Sequence, residues 1–139
     1  MKWVTWENIG VDRMACIWLI QKYIDPEAEF FFVPAGGKAF PKGAEPFDIP
    51  GVRYSHQRGH CTFHTILKEY KLTDPVLSRI ASIVDEADIV QEIAVEPAAA
   101  GLDLICRGVR GISKNDDEAW KYGMLIYQAL FAQLSAGNP

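Results

Sequence analysis

The sequence predicts an α+β domain, mainly helical, in which about five helices pack with a small sheet of short strands. Three observations carry that prediction. Apolar residues recur at helical spacing in several separate segments, as with Phe63, Ile66, Leu67 and Tyr70 at i, i+3, i+4 and i+7. Trp3-Val4-Thr5-Trp6 and Glu29-Phe30-Phe31-Phe32-Val33 are β-branched or aromatic runs with the length and composition of strands. Helix starts are marked at Asp74-Pro75 and at Asn115 with Glu118.

In chain order, the first strand is followed by a break at Gly10 and then by a strongly apolar helix over residues 11–24. Pro26 limits that helix, because the residue before a proline is pushed out of the helical region. Its circumference is apolar nearly all round, which places it in the middle of the fold. The second strand, residues 29–33, is closed by Pro34. Residues 35–50 are rich in Gly and Pro and read as a long surface loop. A turn at Pro50-Gly51 then leads into Val52-Arg53-Tyr54, the expected start of a third strand running to His56. After Gly59, the next helix covers residues 62–70. Asp74 is the N-cap and Pro75 the first residue of a helix whose buried stripe is Val76, Ile80, Ile83, Val84 and Ala87. Pro97 opens another, with the stripe Ala98, Leu102, Ile105, Cys106 and Val109 and with Gly111 suited to its C-cap. The last helix is entered through a capping box, Asn115 to Glu118, and Asp116 and Asp117 complement its dipole. Trp120, Gly123, Met124, Tyr127, Leu130, Phe131 and Leu134 form its one apolar face. No repeat or linker interrupts the chain, so one domain over residues 1–139 is expected.

Composition narrows the function classes. A hydrophobic fraction of 49% with 23% charged residues belongs to an ordinary globular domain. The net charge of −4 and the lack of any basic run disfavour direct nucleic-acid binding. The first eight residues have no apolar core of the kind a secretory signal needs, and the longest apolar stretch, residues 14–20, is too short for a bilayer. Cys16, Cys61 and Cys106 are odd in number and far apart, which argues against a disulfide framework and for a cytoplasmic home. Homo-oligomerisation is compatible with all of this.

The chemistry concentrates in Ser55-His56-Gln57-Arg58-Gly59-His60-Cys61-Thr62-Phe63-His64, which holds all three histidines and one of the three cysteines. Imidazole and thiolate are ligands for borderline and soft metals. With His56 folded back across Gly59, a three-histidine site is chemically possible; the plainer reading leaves His60 and His64 as exposed polar residues at a helix start. His56 ends a strand beside a tight turn, and for it functional and structural roles weigh evenly. Asp85, Glu86 and Asp88 lie at a helix C-terminus, where carboxylates oppose the dipole. Asp85 and Glu86 read as solvated. Asp88 continues the line Leu77, Ala81, Val84, so it faces inward and requires a cation, an arginine or a hydrogen-bonded partner. Arg13 sits in the first turn of its helix on the face of Cys16, Ile17 and Ile20. Its partner is either a carboxylate such as Asp88 or Asp48, the commoner outcome, or an oxyanion shared with the free helix N–H groups. Cys16 reads as a core thiol that Arg13 could activate, and Cys106 as core. The signatures of P-loops, dinucleotide folds, nucleophile elbows and paired CxxC motifs are absent.

Val11-Asp12-Arg13-Met14-Ala15-Cys16-Ile17-Trp18-Leu19-Ile20, followed by Ile24-Asp25-Pro26-Glu27-Ala28-Glu29-Phe30, resembles the opening of the ChrB-type chromate-resistance domain. The likeness continues through Pro46-Phe47-Asp48-Ile49-Pro50-Gly51, His56, Gly59, Cys61-Thr62-Phe63, Ile83-Val84, Ala87-Asp88, Ala100-Gly101-Leu102-Asp103 and Arg107-Gly108. It ends in Asn115-Asp116-Asp117 and residues 123–130. The resemblance implies a role in chromate resistance or chromate-responsive regulation, for a domain expected here without a separate N-terminal DNA-binding or sulfurtransferase region. Its matching positions are Asp12, Arg13, Cys16, His56, Cys61 and Asp88, whereas His60 and His64 fall outside its pattern. The expectation is a binding or sensing domain in which Asp12, Arg13 and Cys16 hold a small oxyanion. His56, Asp88 and Cys61 would hold one divalent metal ion. The rival is a metal- or thiol-dependent redox enzyme acting on chromate or a related oxyanion, and a third reading assigns partner binding to the loop at 35–50.

Overall fold

Strand β1 (Lys2–Trp6) lies between β2 (Glu29–Val33) and β3 (Ala44–Pro46) in a parallel three-stranded sheet. The computed structural model describes residues 1–89 and 91–137. Trp3 pairs with Phe30 on one side and with Glu45 on the other, and Val4 with Phe31 and Pro46. Trp3, Val4 and Thr5 are wholly buried, so both faces of β1 are covered, as a central parallel strand requires.

Helix α1 (Val11–Leu19) runs on as a π-helical turn, Ile20–Ile24, in which the Asp25 amide bonds the Ile20 carbonyl five residues back at 2.7 Å. Every α1 residue except Arg13 is buried, as its all-round apolar sequence demands. Four helices pack on it: α2 (Thr62–Glu69), α3 (Pro75–Asp88), α4 (Ala99–Ile112) and α5 (Asp116–Ser135). Gly123 lets α5 close onto α1, since a Cβ there would stand 3.2 Å from Met14 Sδ. Nearby, the buried Tyr127 hydroxyl donates to the Val11 carbonyl at 2.6 Å. The caps at Asp74 and Asn115 form as expected, accepting from the amides of Val76 at 2.8 Å and Glu118 at 2.9 Å. Five α-helices and one small sheet among the described residues make the mainly helical α+β domain that the sequence predicts. None of the described helices is long and apolar enough to cross a membrane.

Three local expectations are corrected. The third strand lies at Ala44–Pro46, inside the segment read as loop, and residues 52–54 form a turn with one bridge, Tyr54 to Phe47. A three-residue edge strand that ends in proline carries almost no strand signal, and proline is tolerated there because one side of β3 needs no ladder partner. Gly111 is helical, and α4 stops at Ser113, whose amide bonds the Val109 carbonyl at 3.1 Å. Ile105 is 55% exposed, leaving Leu102 and Cys106 to the core.

Candidate metal centre

The site forms at the carboxyl ends of β1 and β3. The chain leaves β1 through α1 to reach β2, while β3 lies on the opposite side of β1. In parallel sheets a ligand crevice opens beyond the strand ends at such a divergence. Trp6, Asn8 and Gly10 follow β1 into it, and Asp48 follows β3.

Asp12, in the first turn of α1, is 2% exposed. Its Oδ2 accepts from the Thr62 amide at 2.8 Å and its Oδ1 from the Phe63 amide at 3.0 Å. The carboxylate therefore caps α2, which has no side-chain cap of its own, and gains from the positive end of that helix. The Cys16 thiol, 3.5 Å from Oδ1, donates to it from one turn further along α1. Asp48 is held by two backbone bonds beside it, the Phe47 amide to Val4 and its own amide to Tyr54. Its φ of 52° lies in the left-handed region, which aspartate tolerates better than most residues. The Thr62 hydroxyl donates to Asp48 Oδ1 at 2.6 Å. Arg13 Nη2 donates to the Asp48 carbonyl at 3.0 Å, and its Nε lies 3.0 Å from Oδ2, an ion-pair contact whose angle falls short of a hydrogen bond. Arg58 and Gly59, both at positive φ, make a two-residue turn between the paired Gln57 and His60, and this turn presents His56.

Three carboxylates meet at one atom. His56 Nε2 lies 3.1 Å from Asp12 Oδ2, 3.1 Å from Asp88 Oδ2 and 3.4 Å from Asp48 Oδ1. One ring N–H can donate fully to only one of these oxygens, and Asp12 Oδ2 and Asp48 Oδ1 already accept from Thr62, so three negative charges crowd a single ring nitrogen. Donors bonded at about 2.1 Å to a single tetrahedral ion stand about 3.4 Å apart; the 3.1, 3.1 and 3.4 Å from Nε2 to the three oxygens are near that value and are also hydrogen-bond lengths. The ligand atoms of Asp12, Asp48 and His56 all lie within 4.8 Å of one another, and Asp88 stands outside that mutual set.

The electrostatics follow from this crowding. Hydrogen bonds from its ring to Asp12 and Asp88 raise the His56 imidazole to about 10, against some opposition from burial. Burial, then the Asp12 charge, raises the Asp48 carboxyl to about 7, although Arg13 and Thr62 pull it down. The cluster lines a cavity of about 550 Å³. Arg107, Arg110 and Asp103 of α4 form another part of its wall.

Four of the six residues singled out from sequence, Asp12, Arg13, His56 and Asp88, line this one cavity. Cys16 reaches it only through Asp12. Cys61 does not join His56 and Asp88, because its buried thiol points to the Ala81 carbonyl at 3.9 Å. Burial pushes both thiols above their ordinary range. Arg13 has the ion pair that sequence reasoning ranked as the commoner outcome. Asp85 is not solvated: Oδ1 accepts the Cys61 amide at 2.7 Å, and Oδ2 pairs with His60 Nδ1 at 2.7 Å. Glu86 likewise accepts the amides of Val95 and Glu96. His60 and His64 are half-buried and stacked, with ring centroids 3.9 Å apart. Sequence reasoning named Asp48 only as a partner for Arg13 and missed Thr62, Arg107 and Arg110. No periodicity or cap marked them, although Asp48 followed by Ile-Pro-Gly did mark a fixed turn.

Comparison with known proteins agrees with the residues that carry the resemblance. The family described as ChrB, C-terminal domain, matches residues 3–134. Protein ChrB of Cupriavidus metallidurans is 28% identical over 136 residues, covering 97% of this chain and 41% of that protein. The chain thus spans less than half the length of this relative. No solved structure matches.

Proposed function

Because the chain belongs to the ChrB C-terminal domain family, we propose that it serves chromate resistance as a metal-binding and sensing domain. One divalent ion sits between His56 Nε2 and the carboxylates of Asp12 and Asp48, with Asp88 as a further ligand or as the partner that orients the ring. One observation carries this reading: three carboxylate oxygens converge on a single imidazole nitrogen inside a cavity. A mainly carboxylate set with one imidazole suits Mn²⁺, Fe²⁺ or Zn²⁺ better than a thiolate-seeking ion. The buried Asp12, fixed by two backbone amides, supplies a rigid ligand, and Asp48 is fixed by Thr62 and Arg13.

The thiol-dependent redox enzyme is the weaker reading. Cys16 and Cys61 are fully buried, neither lines the cavity, and burial keeps both protonated, whereas the thiolate is the reactive form. The cytoplasm is the compartment we propose, since it keeps such free thiols reduced.

The test is calorimetric titration of the EDTA-treated, dialysed protein with Mn²⁺ and Zn²⁺, followed by elemental analysis after desalting. One ion per chain in the wild type, lost in His56→Ala, is the expected result. A wild type that takes up neither ion, or a variant that binds equally well, would overturn the reading.

A further inference from the structure

The α4 wall of the cavity has no task in the metal reading. Arg107 Nε is bonded to Asp103 Oδ2 at 2.9 Å, one turn earlier on the helix, which fixes the guanidinium while leaving its terminal nitrogens available. Among the described residues Arg110 has no carboxylate partner, and its one hydrogen bond is a 3.4 Å contact from Nη1 to the Asn8 carbonyl. It lies against the start of α1, where Gly10 has no side chain to intervene: a Cβ there would stand 3.8 Å from Arg110 Nη1. Arg13, the cation expected from sequence to meet an anion, is instead occupied by Asp48.

We infer that the cavity binds a second ligand, a small tetrahedral oxyanion, between the metal ion and the Arg110 and Arg107 guanidiniums. This rests on the metal reading above. Guanidinium presents planar, paired donors that match oxyanion geometry, and a metal ion takes an oxyanion oxygen in an open position. A volume of about 550 Å³ leaves room for both. Charge makes the two events cooperative. Four carboxylates (Asp12, Asp48, Asp88, Asp103) and three guanidiniums (Arg13, Arg107, Arg110) line the wall. A divalent ion adds two positive charges beside the three guanidiniums and displaces any proton that His56 carries, so the loaded lining is the more positive of the two. The loaded cavity therefore attracts a dianion more strongly than the metal-free one. By linkage, the anion tightens the metal by the same factor.

The experiment is calorimetric titration of sodium sulfate, a redox-inert tetrahedral dianion, at constant ionic strength. The protein is used Mn²⁺-loaded and EDTA-treated, as wild type, Arg110→Gln and Arg107→Gln. Arg107 is exposed and Arg110 half-buried outside the core, so unchanged far-UV circular dichroism is expected of both variants. Sulfate is expected to bind the loaded wild type, with affinity lower by about ten-fold or more in the EDTA-treated protein and in Mn²⁺-loaded Arg110→Gln, and lower to a smaller degree in Arg107→Gln. Unchanged Mn²⁺ uptake by Arg110→Gln separates the two ligands. Equal sulfate binding with and without Mn²⁺, or by Arg110→Gln and wild type, would overturn the inference. Mn²⁺ bound without any sulfate binding removes this inference and leaves the metal reading standing; no Mn²⁺ bound removes both.

Discussion

Replacing Asp48 with asparagine distinguishes a functional carboxylate from an ordinary structural ion pair. In the metal-free protein the Asp48 carboxyl is raised from 3.8 to about 7 by burial and by Asp12, so its ionised form destabilises the fold despite Arg13. At 1.36 kcal/mol per tenfold, a displacement of that size corresponds to about 4 kcal/mol. Part of it is shared with Asp12 and His56, and asparagine forgoes the Arg13 contact, so a net gain of about 2 kcal/mol is the working figure. Between pH 3.8 and 7 the wild-type native state holds a proton that the unfolded chain has released, so its stability falls as pH rises through that window. Asp48→Asn has no such group. It should match the wild type near pH 4 and exceed it at pH 8, by about 6 °C in Tm. The limb at higher pH should persist in both proteins. The raised imidazole of His56, held mainly by Asp12 and Asp88, contributes stability that is complete below its ordinary value of 6.5 and is lost as pH rises toward about 10. The assay is thermal unfolding in EDTA from pH 4 to 9, repeated with Mn²⁺, where the order should invert because the variant lacks a ligand. A variant less stable than the wild type at pH 8 in EDTA would refute the reasoning and make Asp48 a simple partner for Arg13.

Asp12→Asn should behave in the opposite sense. It weakens the α2 cap at Thr62 and Phe63, costing about 2–3 kcal/mol in urea unfolding even without metal. His56→Ala should lower Mn²⁺ affinity by about a hundredfold or more by calorimetry while leaving far-UV circular dichroism unchanged, because loss of one of three or four ligands leaves the helices intact. Asp85→Ala removes the Cys61 amide bond and the His60 pair, so it should cost about 2 kcal/mol in urea unfolding. It should also weaken Mn²⁺ several-fold, through a looser histidine turn; full wild-type affinity would show that the turn holds His56 unaided.

The helices were legible because their signals are local. The proline and carboxylate at 74–75, the asparagine at 115 and the apolar periodicities each concern neighbours in sequence, and the structure follows them. The almost wholly buried α1 was legible for the same reason, from its apolar circumference. β3 was not, because three residues ending in proline carry too few side chains to show a period of two. The site was half legible. Arg13 and Asp88 stood out as charges at unfavourable helix ends, and His56 as a polar residue beside a turn. What joins them is distant: Asp12 reaches Thr62 across 50 positions and Phe63 across 51, and Asp85 reaches Cys61 across 24. Asp85 looked solvated because a carboxylate at the C-terminus of its own helix has no reason to be there; its reason is the N-terminus of a different helix.

That exchange of caps supplies the link that the proposed sensing role requires. The first amides of α2 are satisfied by Asp12 from α1 and Asp85 from α3, and the cap residue itself contributes no side-chain bond. Asp12 also faces His56, so the oxygen that would take a metal ion, Oδ2, is the one that now accepts the Thr62 amide. A cation drawing on that oxygen competes with the hydrogen bond, while Thr62 holds Asp48, the neighbouring ligand, through its hydroxyl. Under the proposed function, metal occupancy and the position of the first turn of α2 would thus be coupled through shared atoms.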